Sequence, residues 1–217
     1  MIMADEKLIG AVKAAREGSK KRNFKQSFDI AVNLKNTDVK KPEGKIKAEV
    51  ALPHAAGRAA KIGFFADALI PQAKKYPEDV LLIRKEDLEA YGRDKKAAKA
   101  VAGSCATFIA EAPLMPLVGK WMGQVLATRG KMPKPVPPTI PDIRPIIERA
   151  RLSVKLSVKD SPAMHCRVGD EGMPDEKVAE NCAAVLAAVE AALPKGREQI
   201  KNVYIKLTMG KPAKLEP

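Results

Sequence analysis

Hydroxyl groups interleaved with lysines recur on three strand-like segments of this chain. Tyr204, Lys206 and Thr208 alternate with Val203, Ile205 and Leu207; Lys25, Ser27 and Asp29 alternate with Phe24, Phe28 and Ile30; Ser153, Lys155, Ser157 and Lys159 alternate with Leu152, Val154, Leu156 and Val158. Successive side chains of an extended strand point to opposite faces, so each segment packs one side and offers a polar one. Lysines suit phosphate oxygens and hydroxyls suit ribose hydroxyls. Arg22 and Arg167 add guanidinium groups, and Met209-Gly210 ends the last segment on a residue that lets another backbone come close. Charges and threonines also decorate ordinary solvated sheets. The combination with Arg22, Arg167 and Met209-Gly210 favours a binding face, on which the three polar faces are expected to gather and read the shape of a structured RNA.

Other chemistries lack their residues. The two histidines, His54 and His165, and three cysteines, Cys105, Cys166 and Cys182, have no CxxC spacing and form no zinc set. His165 lies beside Arg167 without a cysteine or acid at triad-like spacing and reads as a hydrogen-bonded structural residue. Gly130 to Pro135 has the glycine and lysine of a phosphate loop but neither GxxxxGK[ST] nor GxGxxG. No cofactor, metal or catalytic residue is expected, and Lys95, Lys96 and Lys99 read as the solvated face of a helix. Aromatics are 4% of the chain, too few for a stacking platform, so structured RNA is preferred to splayed single strands. Phe24 shares the buried parity of its strand, and a core role and a contact role both remain open.

The elements that must position these residues follow from periodicity. An amphipathic helix over 7–16 runs into the basic corner Lys20-Lys21-Arg22. A strand over 24–34 is paired, after a turn at 38–44, with a second strand over 46–52. From 62 to 126, apolar runs at 62–66, 80–83 and 107–110 alternate with helices at 69–76, 85–100 and 114–126, which implies crossovers and a parallel sheet. A glycine- and proline-rich loop covers 128–141, and a helix follows through Ile143, Ile146 and Ile147. Strands at 152–158 and 163–168 read as a hairpin about Asp160-Ser161-Pro162, and a helix over 175–193 leads to the terminal strand. The expected fold class is thus α/β and α+β in two domains. A discontinuous antiparallel α+β domain takes 1–58 plus 151–217, and a Rossmann-like αβα domain over 59–150 is inserted in it, with chain crossings near Gly57 and Ala150 that suit hinge motion.

The 217 residues carry 39 Lys+Arg against 26 Asp+Glu, a net +13, which favours a polyanionic partner, nucleic acid before membrane. The excess is +5 over 61–149 and +8 over the remainder. Cysteine usage suits a reducing cytoplasm. The first residues enter a charged helix directly and the longest uncharged run, 101–110, is far short of a bilayer span, so neither secretion nor membrane insertion is expected.

Several segments in order resemble the L-one family of large ribosomal subunit proteins, in its archaeal branch. They are Arg22-Asn23-Phe24-Lys25-Gln26-Ser27-Phe28-Asp29, Val32-Asn33-Leu34-Lys35, Lys40-Lys41-Pro42-Glu43, Leu52-Pro53-His54, Gly130-Lys131-Met132-Pro133-Lys134-Pro135 and Leu207-Thr208-Met209-Gly210-Lys211-Pro212. The resemblance implies a non-enzymatic cytoplasmic protein of the ribosomal stalk, monomeric when free. It implies binding of stalk-region large-subunit ribosomal RNA, repression of its own messenger RNA through the same surface, and contact with deacylated transfer RNA leaving the exit site. It carries the family's RNA-contacting phenylalanine to Phe24, a hydroxyl to Ser27, and Thr-Met-Gly to Thr208, Met209 and Gly210. Leu207 stands where the family commonly has a hydroxyl residue, and Asn23 where a basic one often stands. With these, the expected RNA-binding set is Arg22, Phe24, Lys25, Ser27, Lys155, Lys159, Arg167, Lys206, Thr208, Met209 and Gly210. The alternative is an enzyme that holds an anionic small molecule at the carboxyl ends of the inserted domain's parallel strands.

Overall fold

In a computed structural model, residues 2–35, 37, 46–57, 61–158 and 161–215 are described. The turn expected at 38–44 lies outside them, and so does Lys159. Contacts divide the chain into two compact units, one made of Met1–Arg58 and Leu152–Pro217, the other of Ala59–Arg151.

The first unit carries α1 (Ile2–Glu17), β1 (Ser27–Leu34), β2 (Lys47–Ala51), β7 (Ser153–Ser157), β8 (Ala163–Asp170), α8 (Asp175–Ala192), β9 (Ile200–Leu207) and β10 (Ala213–Leu215). Its main sheet is antiparallel, in the order β10-β9-β1-β8. Strict alternation along β1 buries Phe28, Ile30, Val32 and Leu34, and β9 likewise buries Val203, Ile205 and Leu207. These meet Leu8, Val12 and Ala15 of α1 and Val178, Cys182, Val185 and Val189 of α8, so both helices pack on one face of the sheet and the other stays open.

Two expected pairings differ, and one strand was not expected. Segment 46–52 does not partner β1: β2 pairs with β7 in a separate two-stranded sheet, Lys47 opposite Ser157 through Ala51 opposite Ser153. Nor does β8 fold back on β7 as a hairpin; it pairs with β1. The short β10, which has no alternation long enough to read, adds an edge to β9. Alternation says which face of a strand is dry and is silent on its neighbour.

The second unit carries β3 (Lys61–Phe65), α2 (Ile70–Ala73), β4 (Val80–Ile83), α3 (Lys85–Arg93), α4 (Lys95–Ser104), β5 (Cys105–Glu111), α5 (Met115–Trp121), α6 (Gly123–Thr128), β6 (Lys134–Val136) and most of α7 (Arg144–Leu152). Its sheet is parallel, in the order β4-β3-β5-β6. Phe65, Phe108 and Ile83 face one layer of helices with Leu88, Val118 and Leu126, while Ile62, Phe64 and Ile109 face Leu69, Ile143 and Ile147 on the other. A sheet buried on both faces requires the near-continuous apolar runs seen in the sequence. Two details were hidden there. The helix expected over 85–100 breaks at Asp94, whose carboxylate accepts from Lys96 N (2.8 Å) and Ala97 N (3.2 Å) and so starts α4 afresh. Within the Pro-rich loop, β6 pairs with β5 at the sheet edge, a position that tolerates Pro135. Among the described residues no helix is long and apolar enough to cross a membrane.

All three cysteines are buried and free. Burial pushes the Cys166 and Cys182 thiols up to about 12 and raises Cys105 as well. A thiol raised in the folded state adds stability that is complete below its ordinary 9.0 and is lost as pH climbs towards about 12. At pH 8 the native protein should therefore resist iodoacetamide, with all three sites labelled only in denaturant; mass-spectrometric labelling of Cys166 or Cys182 in the native state contradicts this burial.

Candidate nucleic-acid interface

Strand β9 ends at Leu207, which lies opposite Phe28 with its side chain buried. The chain then turns, Gly210 N donating to Leu207 O at 2.9 Å, and lays Thr208 against the first residue of β1. Thr208 N donates to Ser27 O (3.1 Å), Ser27 N donates to Thr208 Oγ1 (3.1 Å), and the two hydroxyls lie 3.0 Å apart. Residues 181 positions apart in sequence are thereby locked together by backbone and side chain alike. Gly210 sits against Ser19: a Cβ would fall 3.2 Å from both Ser19 Cβ and Leu207 Cβ, tighter than the packing readily accepts.

Gln26, only 1% exposed, holds this corner from beneath. Its Oε1 accepts from Met209 N (3.1 Å), its Nε2 donates to Ser19 Oγ (3.1 Å) and Lys20 O (3.3 Å), and its backbone exchanges hydrogen bonds with Glu171. Arg16 fixes the same junction, donating to Asp175 Oδ1, Glu171 O and Met173 O while its guanidinium lies 5.2 Å over the Phe28 ring. Sequence reasoning missed Gln26. The available signal was its parity, which puts a polar residue on the buried side of the strand with Phe28 and Ile30.

Phe24 lies three residues before β1, and the alternation that still buries Gln26, next to the strand, no longer holds there: Phe24 is 52% exposed. Met209 is 58% exposed. Two large apolar side chains in water on a corner held rigid from below are unusual in a chain with three exposed large hydrophobics among its described residues. Arg22 and Lys25 are exposed beside Phe24, and Lys211 approaches Gly18, near Lys20. The structure thus brings Ser27, Thr208, Met209 and Gly210 into one corner, with Arg22, Phe24 and Lys25 exposed on the chain just before it.

Lys206 and Arg167 lie on the open face of the sheet, each opposite Asp29 of the intervening strand. Burial raises the Asp29 carboxyl above its ordinary range, against the pull of Lys206, Arg167 and His165. Arg167 is also paired with Asp170. Gly57, at φ +116°, lies against that pair, and a Cβ there would overlap both the carboxylate and the guanidinium. Lys155 does not join this face. It stands on β7 opposite Glu49, in the separate two-stranded sheet, so the expected gathering of three polar faces reduces to two.

The place for an anion in the second unit is filled from within. In an open α/β sheet a ligand sits beyond the carboxyl ends of the strands where the crossover direction reverses, here between β3 and β5. There Glu111, 2% exposed at the end of β5, accepts from Asp67 N (2.9 Å), Ala68 N (3.2 Å) and Leu69 N (2.8 Å) of the loop after β3. The nest of backbone N–H groups that would cradle a phosphate already holds a carboxylate. Lys131 of the Gly130–Pro135 segment is similarly engaged, its Nζ donating to Ala102 O (2.9 Å) and Cys105 O (2.7 Å) at the end of α4.

The sequence pattern of the ribosomal protein L1p/L10e family matches residues 12–211. Large ribosomal subunit protein uL1 of Methanobrevibacter smithii is 48% identical over 206 residues, covering 94% of this chain and 96% of that protein. The proteins of the same name from Thermococcus kodakarensis and Archaeoglobus fulgidus are 44% and 43% identical over 212 residues, covering 97% of this chain and 97% of each.

Proposed function

The chain belongs to the ribosomal protein L1p/L10e family, and on that premise we propose that it is a structural, non-enzymatic protein of the large ribosomal subunit in the cytoplasm. Its first unit binds stalk-region ribosomal RNA through the corner built by Arg22, Phe24, Lys25, Ser27, Thr208, Met209 and Gly210, with Lys206 and Arg167 on the adjoining sheet face. The observation that carries this reading is the exposure of Met209 beside the Ser27–Thr208 junction and of Phe24 just before it, with Arg22 and Lys25 exposed in the same stretch of chain. Apolar side chains there cover sugar and base faces, hydroxyls meet ribose 2′-hydroxyls, and lysines meet phosphates. The same surface represses translation of the protein's own messenger RNA where that message folds into a mimic of the stalk site. On the ribosome the protein helps release deacylated transfer RNA from the exit site.

Equilibrium binding to a stalk-region ribosomal RNA fragment and to a scrambled hairpin of equal length, across a salt series, tests the reading. The stalk fragment should keep its preference at high salt, where counterion release contributes least. Lys25→Gln should reduce the slope of log affinity against log salt by about one unit. Equal, salt-erased binding to both RNAs would mean that net charge alone acts.

A further inference from the structure

The open face of the main sheet holds a trough of about 620 Å³ that takes in Lys206 and Arg167 and extends beyond them to Tyr204, Ala31 and His165, which the RNA-binding surface does not use. Strand register places two rows across it. Lys206, Asp29 and Arg167 form one, and Tyr204, Ala31 and His165 form the next. The second row explains the hollow: Ala31 occupies the central strand, and the larger Tyr204 and His165 stand on either side of it. A hollow of this size suits a ligand of nucleotide dimensions. An ordinary wet sheet face has no need of a tyrosine ring and an imidazole around a small residue beside two cations.

We infer that this trough receives one unpaired nucleotide of the bound RNA, its base against the Tyr204 ring and its phosphate on Lys206 and Arg167. The inference rests on the RNA-binding reading and adds to it a site for a single base. Few aromatics rule out a stacking platform, but one pocket requires one ring, and base–aromatic stacking does not depend on the identity of the base. Asp29 stands on the strand between the two cations and accepts a hydrogen bond from a base amino group. His165 closes the far wall, where either ring nitrogen can meet a base edge.

Two substitutions test this from opposite directions, and both lie on the face away from the core. Tyr204→Ala removes the ring, and Ala31→Leu fills the hollow while leaving every lining group in place. Each should lower affinity for the stalk RNA fragment about tenfold to a hundredfold at fixed salt, with the salt slope unchanged because no charge is lost. Ultraviolet irradiation of the unaltered complex should leave a nucleotide adduct on the peptide containing Tyr204 or His165. Full affinity in both variants, without an adduct, overturns the inference while the RNA-binding reading survives. Failure of the unaltered protein to prefer the stalk fragment overturns both. Stabilisation by free nucleoside 5′-monophosphates, with RNA affinity untouched by Ala31→Leu, would make the trough a free-nucleotide site and likewise overturn it. If Tyr204→Ala does not fold, Ala31→Leu and the adduct decide.

Discussion

Thr208→Val should cost about tenfold to a hundredfold in affinity for the stalk RNA fragment and leave the salt dependence as it was. The substitution preserves shape and removes only the hydroxyl, which in the structure accepts from Ser27 N, donates to Ser27 O and lies 3.0 Å from Ser27 Oγ. Without it the Ser27 hydroxyl loses the partner that aims it outward, and a buried donor or acceptor left unmet in the complex costs about 1–3 kcal/mol. Every 1.4 kcal/mol is a factor of ten in affinity. Because no charge changes, the number of released counterions stays constant. Thr208→Ser retains the hydroxyl and should retain most of the affinity. Ser27→Ala combined with Thr208→Val should cost less than the two single effects added, since both remove one shared contact. Unaltered affinity in Thr208→Val would remove the strand junction from the binding site.

Glu111→Gln should destabilise the second unit by about 3 kcal/mol, and Glu111→Ala by more. The buried carboxylate accepts from three consecutive backbone N–H groups. Hydrogen bonds to a charged acceptor contribute about 1.5–3 kcal/mol each, roughly twice a neutral one. A glutamine oxygen can serve Asp67 N and Leu69 N, but its amide nitrogen then faces Ala68 N, donor against donor. Trp121, the only tryptophan of the chain, lies in α5 of this unit, so its fluorescence in a urea titration reports the relevant transition. The midpoint should fall clearly, by roughly 12–24 °C if this unit unfolds thermally on its own, while affinity for the stalk fragment stays that of the unaltered protein. An unchanged midpoint would mean that the nest does not need its carboxylate, and the argument that it excludes a phosphate ligand would fall with it.

What lay open in the sequence was whatever repeats along a single element. Alternation marked the dry and wet sides of β1, β7 and β9, and the switch from alternation to apolar runs separated antiparallel from parallel sheet and so the α+β from the α/β part. The same parity carried Gln26, a polar residue on the dry side, although its role as the support of the corner needed Ser19, Lys20, Glu171 and Met209 in place around it. Net charge pointed to a polyanion, and short segments in a fixed order pointed to the family. Tertiary structure alone decided the partners. It set β2 on β7 and β8 on β1, put Lys155 on a different sheet from Lys206 and Arg167, exposed Phe24, and brought Ser27 to Thr208 across 181 positions. The physical reason is that periodicity is imposed by the face a strand presents to the core. Hydrogen-bonded pairing joins backbone groups that are the same in every residue, so which strands become neighbours is settled only when whole faces pack together.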